Sequence, residues 1–410
     1  MRTYSVAAWA LLSSSAAPRA VAQCMELAEG FGASGVQSTV LTGIVIASAV
    51  YDDGSGARLY VGGYIDVAGD VRASGIASWN GASWSSLDGG VSGSSRRVYA
   101  LHTFDDGSCP ALYVGGSFHA AGANPAQNVA RWTASGWTPL DGIEAQGFVY
   151  DFEVFDDGSG PALYAGGLFG TVAGQVCRGL ARWNGTTWTP VGAGAGGQVF
   201  ELQTFDDGAG AKLYIGGNFT LSQQAAGNYF AWWDGTQFGN SGAGFDYVVR
   251  AMAVYDDGGG AALYVGGSFN TANGASLPRL ATWNGSSWSS AGNVHGAHIE
   301  DLLEFDDGSG AKLYAAGSAG GVTPAILGPY LQVLDNGGWS ELGGGTHPYG
   351  ELFTLEEFDG GSGAKLHLGG RIQSAGGVHT DGIAAWNGAQ FEALGAGDVA
   401  AVRRTVVRPA

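Results

Sequence analysis

The chain has 410 residues, of which 74 are glycine and only 13% are charged, with a formal net charge of −18. Hydrophobic residues make up 45% and aromatic residues 11%, enough to build a core, so the glycine content does not mark a disordered or collagen-like chain. The acidic balance repels phosphate backbones and excludes nucleic acid as an expected partner.

Residues 1–22 read as an export signal, with Arg2, an apolar run from Tyr4 to Leu12, and small residues ending in Ala20-Val21-Ala22. That run falls well short of the ~20 residues needed to cross a bilayer, and no later stretch approaches this length. The mature chain is therefore expected to lack a transmembrane segment and to be secreted or held at the cell surface. Residues 23–43 form an N-terminal segment. Cys24, Cys109 and Cys177 are too few for a disulfide framework.

From residue 44 the chain repeats itself. An aromatic or histidine before a "VGG"-like element recurs at Tyr60, Tyr113, Tyr164, Tyr214, Tyr264, Tyr314 and His367. Within the second copy, "VYALHTF", "ALYVGGSF", "NVARW" and "WTPL" predict four short strands. The "FDDG" turn joins the first two and a turn of the "WNG" kind joins the last two, because Asp-Gly and Asn-Gly supply the positive φ of a tight hairpin. Four antiparallel strands every ~50 residues suit a propeller blade of kelch length. A single blade leaves both faces wet, and stacking blades around an axis buries them. The expected fold is all-β, a seven-bladed kelch-like β-propeller over residues 44–395, with 396–410 as a C-terminal tail or closing strand.

The order of a variable first strand, "LYVGG", "ARW" and a second Trp resembles kelch-type repeats. It is also similar to Gly- and Trp-rich repeats of secreted bacterial proteins and of fungal cortical cell-surface markers. This resemblance implies a fold. It does not imply an activity, since such propellers serve as binding scaffolds, surface proteins and enzymes.

If the first strand is innermost, as the kelch resemblance implies, every "DDG" and "WNG" turn falls on one face and the variable loops on the other, where binding sites are expected. The repeated aspartates could form a calcium ring, but a recurring hairpin turn explains them without metal. The tryptophans, fixed within strands, read as inter-blade core. The "VGG" glycines read as room for a neighbouring aromatic.

More telling are residues that differ between copies. Asp151, Glu153, Glu201, Glu300 and Asp301 fall on the presumed inner strands, where a one-sided acidic cluster could hold a divalent cation or simply be solvated wall. His295, His298 and His347 fall between blades and His379 between the second and third strands of the last copy. Converging imidazoles could hold a transition metal. Arg96 and Arg97 could grip an anion.

No nucleophile, base and orienting group can be assembled. The expected function is a secreted non-catalytic scaffold for binding, adhesion or envelope assembly, without a required cofactor, taking a protein or carbohydrate ligand on the variable face. The alternatives are an extracellular polysaccharide hydrolase or lyase and a cation-binding scaffold.

Overall fold

The computed structural model describes residues 41–144, 146–221, 227–318, 329–342, 350–380 and 382–394. The expected signal and the C-terminal tail lie outside them. Among the described residues there is no helix, and seven antiparallel sheets of four or more strands carry the structure.

Each sheet is drawn from one copy of the repeat, with strands in chain order. The second sheet runs Arg97–Asp105, Pro110–Ser117, Val129–Thr133 and Gly136–Pro139. Successive first strands touch, and Glu351–Asp359 of the seventh sheet touches Leu41–Asp52 of the first. Short hairpins, such as Thr171–Val172 with Gln175–Val176, decorate the connection between second and third strands. They escaped the sequence reading because two residues are too few to show alternation.

The turns form as their chemistry demands. Asp156 Oδ1 accepts N–H bonds from Gly158 at 2.8 Å and Gly160 at 2.9 Å, while Gly158 sits at φ +92°. The "WNG" turn of one sheet then rests on the "DDG" turn of the sheet before it. A β carbon on Gly185 would lie 3.0 Å from the Asp106 carbonyl oxygen, and one on Gly235 2.8 Å from that of Asp157. Gly81 meets Gly360 in the same way, first sheet against seventh.

The two glycines of "VGG" do separate jobs. A β carbon on Gly166 would lie 2.6 Å from Val199 Cγ1 of the following sheet, so this glycine lets neighbouring sheets close up. A β-branched side chain fills that space at most copies, where an aromatic was expected; Gly115 faces both Val149 and Phe152. On Gly167 a β carbon would fall on the carbonyl oxygen of Phe148, in the strand paired with it. There the register slips by one residue between Val149 and Asp151, a β-bulge.

Tryptophans join sheets. Trp137 Nε1 donates to the Leu87 carbonyl at 2.8 Å and Trp339 Nε1 to that of Ala291 at 2.7 Å, each reaching the preceding sheet. Cys109 and Cys177 are not bonded to each other, and Cys177 is buried.

Candidate functional site at the mouth of the first strands

The register slip recurs in all seven first strands, leaving Ile46, Tyr99, Tyr150, Phe200, Arg250, Glu300 and Phe353 without a pairing partner. A bulged residue is turned out of the ladder. All seven line one cavity of about 680 Å³. It lies toward the beginnings of the first strands, away from the "DDG" turns at their ends.

Three of the seven form an aromatic arc. Tyr99 and Tyr150 have ring centroids 5.3 Å apart, Tyr150 and Phe200 5.2 Å, and Phe148 stacks on Tyr150 at 6.1 Å. The arc ends where the Arg250 guanidinium lies 5.5 Å from the Phe200 ring centroid and bonds Glu300 Oε2 at 3.3 Å. Arg97 enters from the second sheet, 5.4 Å over the Tyr64 ring and 3.2 Å from the Tyr99 hydroxyl. Arg371 enters from the seventh. Arg96 pairs with Asp66 instead.

Beneath the arc, Asp151, Glu201 and Asp301 line the cavity and cross from sheet to sheet. Asp151 Oδ2 accepts the Leu202 N–H at 2.7 Å, Glu201 Oε1 that of Met252 at 3.3 Å, and Asp301 Oδ2 that of Leu355 at 2.6 Å. Glu153 repeats the pattern outside the cavity lining, its Oε1 accepting the Thr204 N–H at 3.0 Å. Each first strand is an edge whose outward N–H groups need an acceptor. The acids supply it, whereas Ala47, Ala100 and Ala251 occupy the matching positions in other copies.

Burial raises the carboxyls of this floor. Asp301 and Glu300 are pushed up to about 7, and Asp151 and Glu201 stand well above the usual range, with the charges of neighbouring acids adding to burial.

The histidines are dispersed. His298 begins a first strand, its Nε2 3.2 Å from Glu300 Oε1, and burial lowers its pKa. His295 lies in the preceding segment, where its N–H donates to Gln332 Oε1 at 3.3 Å. His379 ends a short hairpin of the seventh copy, and His347 is outside the described residues. Among the described residues no three His, Cys, Asp or Glu side chains are placed to hold a metal ion. The aspartates of the "DDG" turns are already engaged: Asp106 Oδ2 receives the Tyr113 hydroxyl at 2.9 Å and Arg131 at 2.8 Å.

Sequence reasoning found the acids at this mouth and missed the aromatic arc and Arg250. A period of two cannot see a bulge, since Tyr150 and Asp151 occupy one step of the alternation. The signal was the second glycine of each "VGG", which stands opposite the bulge in every copy.

No family model matches the chain, and no curated protein matches it significantly. Among solved structures it is similar to the extracellular domain described for a candidate one-component system of B. thetaiotaomicron, with 12% identity and a TM-score of 0.50 over 85% of this chain. The chain spans 39% of that protein's length. It is also similar to BBS1N solved in complex with ARL6DN, with 9% identity, a TM-score of 0.48, and coverage of 87% of this chain and 94% of that one. At these identities the likeness concerns the arrangement of strands alone. No described helix is long and apolar enough to cross a membrane.

Proposed function

We propose that the chain is an extracellular, non-catalytic seven-bladed β-propeller of kelch type that binds a ligand at the mouth of its central channel. The reading is carried by the seven bulged residues, one from each sheet, that surround a single cavity. The volume, about 680 Å³, is that of a small-molecule site rather than of a protein footprint. Contact of the seventh first strand with the first supports the closed ring. The apolar leader with its Ala-Val-Ala end supports export.

Glycan and metabolite arrays read with the wild type and with Tyr150→Ala and Phe200→Ala test it. Binding lost in both variants, with thermal melting retained, is the expected result. Binding that survives both would place the site elsewhere.

One observation favours a second reading, polysaccharide hydrolysis. Glu300, raised by burial to about 7 at the cavity wall beside Arg250, lies in the range that suits a general acid. Release of reducing ends by the wild type but not by Glu300→Gln would establish it in place of the first.

A further inference from the structure

The geometry points to a carboxylate-bearing saccharide of the uronic-acid type, one or a few rings long, as the ligand of this mouth. The inference rests on the binding function proposed above and names its ligand class. Two cations flank the first sheet and face the cavity with no acidic partner among the described residues. Arg97, exposed, meets the Tyr99 hydroxyl and the Tyr64 ring and no acid among the described residues. Arg371, also exposed, stands opposite Glu351 in register and forms no ion pair with it. Arg250, by contrast, already has an acidic partner, Glu300 Oε2 at 3.3 Å.

Two planar guanidinium forks in a cavity of this size are suited to an oxyanion. The protein supplies them despite a net charge of −18. The nearby acids Asp151, Glu201 and Asp301 make a singly charged carboxylate less repelled than a doubly charged phosphate.

The aromatic wall that begins beside Arg97 decides what carries the carboxylate. Tyr99, Tyr150 and Phe200 form a contiguous aromatic surface of edge-on and tilted rings, while the Tyr99 and Tyr150 hydroxyls offer hydrogen bonds beside it. A ligand with an apolar face and many hydroxyls satisfies both. A purely aromatic acid would leave buried polar groups unpaired, which costs affinity.

Titration calorimetry of the full chain with digalacturonate and with its neutral counterpart, galactobiose, tests the inference. The acid is expected to bind at least about tenfold more tightly, with a preference that weakens in salt. Arg97→Gln and Arg371→Gln should each cost about threefold and together abolish the preference. Arg58→Gln, at the far end of the first sheet's strands, should leave binding unchanged. Equal affinity for both disaccharides, with continued dependence on Tyr150 and Phe200, would overturn the acidic ligand and keep the binding mouth. Failure of both disaccharides, or acid binding that survives loss of both arginines, also overturns it; array ligands lost with Tyr150→Ala would then preserve the broader reading.

Discussion

Asp151 and Leu202 belong to different sheets, yet the carboxylate of one accepts the backbone N–H of the other at 2.7 Å, while its second oxygen accepts the N–H of Phe152 at 2.7 Å. Replacing Asp151 by Ala strands two N–H groups, one of them on the edge of another sheet. The expected loss is about 2–3 kcal/mol in urea unfolding. Asp151→Asn should recover only part of it, because its amide presents a donor to one of those donors. A variant as stable as wild type would show that water replaces the carboxylate.

Glu356 lies further along the seventh first strand, where burial and then the charges of Asp301 and Glu357 raise its pKa to about 8. A carboxyl raised on folding favours the folded state while it keeps its proton. That stability is present below the unfolded value near 4.5 and is lost as pH rises through about 8. Glu356→Gln should therefore match wild type near pH 4 and melt roughly 2 °C or more higher at pH 9. A melting difference that did not change with pH would refute the assignment.

The opposite face carries the opposite sign. Burial of Asp106 would raise its carboxyl, but bonds from Ser108, Tyr113 and Arg131 outweigh it and hold the pKa below the ordinary value. The stabilisation is present above the unfolded pKa near 3.8 and disappears as pH falls through the folded value. Asp106→Asn should cost about 1–3 kcal/mol at pH 7 and less at pH 3. Because these aspartates are held by their own sheets, a chelator should leave the melting temperature unchanged, as scanning calorimetry with and without it would reveal.

Gly217 pairs beside the bulge of the fourth first strand, and a β carbon there would fall on the Gln198 carbonyl oxygen. Gly217→Ala must displace backbone and is expected to cost about 3 kcal/mol or more. Gly338→Ala meets nothing nearer than the Asp335 oxygen at 3.8 Å, and should stay within about 0.5 kcal/mol of wild type. Equal effects would mean that the bulge yields freely.

Strand count per repeat, turn chemistry and the antiparallel sheets were all legible along the chain, because hairpins are local and "DDG" and "WNG" name their own backbone conformations. The inter-sheet role of the tryptophans was legible too, since they recur at fixed strand positions. What stayed hidden was set between copies. Whether Asp151 faces water or caps Leu202 depends on a strand about fifty residues away, brought beside it only when sheets stack. Arg97 and Arg371 lie far apart in sequence and meet at one cavity because the first and last first strands touch. Local hydrogen bonding writes the repeated sheet into each stretch of sequence; the site arises from the differences among those stretches, which acquire a shared geometry only when all seven edges face one another.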